Sequence, residues 1–368
     1  MVCVCVCVCV CVCVCVCVCV YVCVCVSLCA CAYVRVSVCP SVCLSVQMYI
    51  LPVFITLGVA GSALGIVVLL GTFLRFKFFS HFLVCLNVCS AAFLLTVFMS
   101  WLADTGIDVF GAPGLCQLHV FSSHFFPFLA VWSSVLGSYL VLWDWVRPRE
   151  VLWLHSPTAA KTAVLALSVL GFTVYSYKTW THISLSHRGS RVCTVIPENE
   201  PAMEILNVLD VLVLLVLPSL LFVVFIVIVF FRRLRPYCRK LCPTGHDRVI
   251  YTSPSGDVIA ELEVTVTRRD AVPRFREVHR LVLSQSLCFL LLVTPRAVST
   301  LIVIVHRWVY HQRQAMDDIL LHHIFQFSFY LYFTLLPFCP AFSSSKFRLH
   351  CCSLLAARKN RPPASQAD

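Results

Sequence analysis

Arg296 carries the sharpest chemical demand in this sequence, because it follows Pro295 directly inside a long apolar run. A charged side chain held among hydrocarbon must find a counter-charge, a watery cavity or the interface. Asp317 and Asp318 on the next segment offer the first. His322, His323, Gln326 and Tyr330 recur at about helical spacing and offer the wall of a cavity instead. A cavity with an Arg and several His suits an acidic group, for instance a carboxylate. His322 and His323 are neighbours on a helix, point about 100° apart and make a poor metal chelate. Asp144 and Arg147 are spaced to pair on one helix face, or to stand as separate juxtamembrane charges. Cys238 and Cys242 suit acylation better than metal. The sequence has no HExxH, no paired Cys-x-x-Cys at zinc spacing and no phosphate loop, so no enzyme, metal or cofactor chemistry is expected.

The elements that must position these groups follow from composition. The 368 residues are 60% apolar and only 12% charged, with a mean hydropathy of +0.92. Soluble domains hold about a quarter charged residues, so this chain needs lipid to cover its apolar surface. The formal charge of +11 arises from basic residues between apolar runs rather than on one polar face, which argues against a nucleic-acid partner.

Of the 25 cysteines, 15 precede residue 44 and belong to a Val-Cys alternation, so they do not indicate a disulfide-rich fold. Strict alternation reads as strand, yet a lone strand leaves its backbone groups without partners. A GT dinucleotide repeat read in frame gives alternating Val and Cys codons. Residues 1–43 are therefore expected to be a low-complexity extension outside the fold. Residues 44–342 form the membrane domain, and residues 343–368 a tail.

A helix needs about 20 apolar residues to cross the hydrocarbon core. Seven stretches meet this, near 49–74, 80–102, 117–145, 159–181, 203–231, 279–306 and 317–342, with the fourth and fifth nearly free of charge. The expected fold is all-α, a bundle of seven transmembrane helices. Arg75, Lys77, Arg147, Arg149, Lys161, the long connection from Arg232 to Arg280 and the tail together hold 21 of the 28 Lys and Arg residues. The positive-inside rule makes that side cytoplasmic and, with an odd span count, places the N-terminus outside.

Several residues then fall into a known pattern. Pro337 is followed by Ser344, Phe347 and Arg348, and then by Cys351 and Cys352. Phe289 and Pro295 stand six apart in the sixth span, and Pro218 lies in the fifth. Over residues 49–352 the chain resembles a rhodopsin-like (class A) G-protein-coupled receptor. The resemblance implies a short amphipathic helix on the inner leaflet after the last span, anchored by acyl chains on Cys351 and Cys352. It also implies a disulfide between Cys116, opening the third span, and Cys193 in the next outer loop.

The same resemblance places a ligand among the outer halves of spans three, five, six and seven. Ser123, with His119 and His124 beside it, occupies the position of the amine counter-ion Asp, which argues against an amine ligand. Arg296, His322, Gln326 and Tyr330 would complete the pocket.

The departures are also specific. Ser90 replaces the sodium-binding Asp, while Leu336 and Pro340 replace the Asn and Tyr of the seventh-span motif. Leu140-Val141-Leu142 stands where the Asp-Arg-Tyr triplet falls, with Asp144 and Arg147 slightly late. The sequence contains no N-glycosylation sequon. The expected function is a plasma-membrane receptor passing an extracellular signal to a heterotrimeric G protein. The alternatives are a multi-pass transporter or channel, or a receptor relic that no longer signals.

Overall fold

The computed structural model describes residues 39–71, 78–146, 156–187, 190–241, 250–252, 258–261, 272–309, 316–343 and 347–348. The Val-Cys repeat and the acylation candidates Cys351 and Cys352 lie outside them, as do Arg147 and the side chain of Asp144.

The chain is a bundle of long helices: α1 (Cys39–Gly71), α2 (Phe78–Asp104), α3 (Leu115–Val146) and α4 (Pro157–Tyr175), then α5 (Glu200–Val211), α6 (Leu217–Leu241), α7 (Val272–Val309) and α8 (Met316–Leu335). Six helical stretches among the described residues are long and apolar enough to cross a membrane, the fifth combining α5 and α6 as Pro197–Arg232. Their bounds follow the first six expected spans closely. The expected span at 317–342 corresponds to α8, a 3₁₀ turn at Leu336–Phe338 and a short helix at Cys339–Ser343.

Packing places α3 at the centre. It touches α2, α4, α6 and α7, while α8 closes the ring against α1, α2 and α7. Burial states the same hierarchy: 67% of an 18-residue segment within Leu115–Trp143 is buried in the bundle, against 17% of one within Pro157–Thr181. The outward faces carry Leu64, Val67, Leu165, Val169, Phe172, Leu220, Phe231 and Leu291, all exposed. An apolar surface this continuous is unsuited to water and matches lipid. The chain is a multi-pass helical membrane protein.

Polar groups inside the bundle are spent on joining helices. The Ser90 hydroxyl donates to the Phe333 carbonyl at 2.8 Å, linking α2 to α8, and the Tyr139 hydroxyl donates to the Leu221 carbonyl at 2.9 Å, linking α3 to α6. Gly58 allows a close approach, since a Cβ there would overlap Leu94 and stand 3.1 Å from the Thr334 backbone. Small residues at such crossings let membrane helices meet closely.

The prolines explain the irregular turns. Pro218 has no N–H and its ring crowds the preceding turn. Immediately before it, Leu212–Val216 widens into a π-helical turn in which the Leu217 N–H donates to the Leu212 carbonyl. This extra residue resets the register of α5 relative to α6, and α5 is the segment that carries Asn207 and Asp210. In α7, Pro295 leaves the Leu291 carbonyl without its usual partner. The Ser328 hydroxyl donates to the next carbonyl, Leu292, at 2.9 Å. At the basic end, the Ser284 and Ser343 hydroxyls are 2.7 Å apart, joining α7 to the short final helix. Phe347 is buried in the core there, and the Arg348 guanidinium donates to the Ala341 carbonyl at 3.1 Å. The rest of the amphipathic helix expected after Lys346 lies outside the described residues.

Candidate ligand cavity

At the end of the bundle away from the basic loops, a β-hairpin lies across the helices. Strands β1 (His182–His187) and β2 (Ser190–Val195) pair antiparallel, with Ser184 opposite Cys193. Cys193 is joined to Cys116 at the start of α3, their Cα atoms 5.5 Å apart. The Arg191 guanidinium adds a second fastening through the Gly111 carbonyl at 2.6 Å. The disulfide closes a loop of 77 residues, so Cys193→Ser is expected to cost about 2–4 kcal/mol. A lower unfolding midpoint and reduced surface delivery would register the loss; a midpoint equal to that of the parent would show that the bridge has no structural part.

Beside this hairpin the helices enclose a cavity of about 580 Å³. Its wall combines Phe93, Val97 and Ser100 of α2 with His119, Ser123 and His124 of α3. Asn207 and Asp210 come from α5, Arg296 from α7, and Gln326, Phe329 and Tyr330 from α8. Lys178 and His182, where the chain leaves the fourth span, complete it.

Asp210 is the hub of the polar side. One of its oxygens accepts the Tyr175 hydroxyl at 2.6 Å. The other lies 3.3 Å from His124 Nε2 and 4.0 Å from Lys178 Nζ. Lys178 also donates to Asn207 Oδ1 at 2.9 Å, and its side chain is only 2% exposed. His124 Nδ1 faces the Val120 carbonyl at 2.9 Å, which favours a proton on that nitrogen and leaves Nε2 as an acceptor unless the ring is charged. His182 is fixed by the Lys178 carbonyl at 3.2 Å. Burial pulls the His182 imidazole below its ordinary value; the hydrogen bond opposes this, and the nearby Lys178 charge adds to it.

The opposite side is built differently. Arg296 lies over the Phe329 ring, 5.0 Å from its centroid, and its Nη1 is buried with no hydrogen-bond partner. The side chains of Asp317, Asp318, His322 and His323 lie outside the described residues, so neither the counter-charge nor the histidine wall expected for Arg296 is visible. His119 bonds to Ser100 at 3.1 Å rather than facing the Asp210 group.

Ser123, His124, Arg296, Gln326 and Tyr330 thus meet around one space, drawn from three helices. Sequence reasoning missed Tyr175, Lys178, His182, Asn207 and Asp210. Treating the fourth and fifth spans as nearly free of charge needs correction, because a buried Lys and a buried Asp stand in them as a pair. The available signal was the opposite sign of two charges, each set well inside an apolar stretch.

No protein-family model matches the chain, and comparison with curated proteins returns no match.

Pro218 lies on α6 and Phe289 and Pro295 on α7, while Pro337 stands in the 3₁₀ turn that follows α8. Phe289 is fully buried between Phe222 and Tyr332, with ring centroids 4.8 and 5.4 Å away.

Proposed function

We propose that the chain is a cell-surface receptor of the rhodopsin-like kind, with α8 as its seventh span, its N-terminus outside and its basic end facing the cytoplasm. A ligand entering beside the hairpin would favour one packing of the helices over another and so alter the inner face offered to a G protein. The observation that carries this reading is the polar cavity at the end opposite the basic loops, roofed by a hairpin that a disulfide ties to the central helix.

A transporter or channel fits less well. Beneath the cavity the rings of Phe93, Phe333, Tyr332 and Phe289 form an apolar floor, with Phe93–Phe333 centroids 4.5 Å apart and Tyr332–Phe333 5.1 Å apart. A permeation path needs polar groups or water at that depth.

The test is nucleotide exchange by each G-protein class in cells expressing the full chain, with surface delivery shown by an antibody to an N-terminal tag on unpermeabilised cells. Exchange above that of untransfected cells is expected for at least one class. Silence in every class, with surface delivery established, would leave a non-signalling relic; a tag accessible only after permeabilisation would overturn the orientation.

A further inference from the structure

The two cations of the cavity are in unequal positions. Lys178 is matched: it has the Asp210 carboxylate at 4.0 Å and the Asn207 carbonyl at 2.9 Å. Asp210 in turn accepts from the Tyr175 hydroxyl and is offset by the Lys178 charge. Arg296 has no ion pair among the described residues, and a buried N–H of its guanidinium has no acceptor. Tyr330 and Gln326, beside it on the cavity wall, are neutral groups and cannot offset its charge. A desolvated guanidinium is stable only when something accepts its protons and balances its charge. Its planar fork fits carboxylate and phosphate-type oxygens better than any neutral acceptor.

The remaining lining settles what must accompany that anion. Phe93, Val97, Val211, Leu214, Leu215 and Phe329 offer apolar surface, and about 580 Å³ lies within the range of small-molecule sites. Building on the ligand-cavity reading above, we infer that the site takes an amphipathic molecule with a single negative charge. Its head group sits on Arg296, its hydrocarbon body lies against the α2–α5 wall, and Asp210 sets the charge count at one by cancelling Lys178. An amine ligand is disfavoured, since the Asp210 charge is already offset by Lys178 and Arg296 repels a second cation.

The experiment is direct binding to the full chain in nanodiscs of zwitterionic lipid, with four probes sharing a ten-carbon chain: decanoate, decyl phosphate, decanol and decylamine. Decanoate should bind most tightly. Decyl phosphate should be weaker because its second charge, about half to fully formed at neutral pH, has no partner. Decanol and decylamine should be weaker still. Arg296→Gln should reduce decanoate affinity by about ten- to a hundredfold without lowering the unfolding midpoint. Asp210→Asn keeps the shape of the side chain but frees the Lys178 charge, and should move the phosphate-to-carboxylate preference toward phosphate by about tenfold.

Decanol binding as tightly as decanoate, indifference to Arg296→Gln, or failure of both anions to bind disulfide-intact, monodisperse protein would each overturn the inference. Preference of the parent for decyl phosphate would overturn the charge count. Adding phosphatidylserine to the nanodiscs separates two sources of the anion: competition with decanoate at Arg296 identifies the bilayer, and its absence a free solute. No G protein is present, so anion binding without nucleotide exchange would sink the receptor reading alone, and exchange without anion binding would sink this one alone.

Discussion

Asp210→Ala is expected to destabilise the folded protein by about 3–5 kcal/mol, the cost of removing one partner from a buried ion pair. The magnitude follows from what is left behind. Lys178, 2% exposed, keeps its charge and loses its only carboxylate partner among the described residues. The Tyr175 hydroxyl, which donates to Asp210 at 2.6 Å, loses its acceptor. Asp210→Asn retains an oxygen for Tyr175 and a dipole near Lys178, so its cost should be well below that of the alanine variant. Lys178→Met removes the orphaned charge at its source. Added to Asp210→Ala, it should recover part of the loss, so that the double variant is more stable than the sum of the singles implies. Thermal unfolding of the four purified variants in one detergent measures this directly. Equal midpoints for the parent and Asp210→Ala would mean that the pair is wet and its members independent.

This cluster also shows where the sequence was legible and where it was not. Span positions depend on averages over about 20 residues, and the excess of apolar side chains is large enough to survive local irregularity. Cys116 and Cys193 could be matched because a family pattern names them, and the structure brings them together. The Lys178–Asp210 pair depends on a finer quantity, the rotation of α5 about its axis. The π-helical turn at Leu212–Val216 resets that rotation, and no regular 3.6-residue count from Pro218 anticipates it. Arg296 was visible because a lone charge after a proline in an apolar run has few explanations. Its setting over the Phe329 ring was not, since Phe329 reads as one more core aromatic of α8.

Phe289→Ala and Leu291→Ala test the same helix two residues apart and should have opposite outcomes. Phe289 is fully buried, packed between Phe222 of α6 and Tyr332 of α8 with ring centroids 4.8 and 5.4 Å away. Truncation leaves a void among rings held by three helices, which can collapse only in part, so the cost should be about 3–5 kcal/mol. Phe289→Leu keeps much of the volume and should cost less than about 1.5 kcal/mol. Leu291 is 67% exposed on the outward face. There, lipid chains surround the side chain in both the folded bundle and the separated helices, so its truncation should change stability by no more than about 0.5 kcal/mol. Unfolding midpoints in lipid nanodiscs separate the three. Equal losses at 289 and 291 would mean that the outward face of α7 is a protein contact rather than a lipid one. A negligible loss at Phe289 would mean that α6, α7 and α8 are not held together by the aromatic layer beneath the cavity.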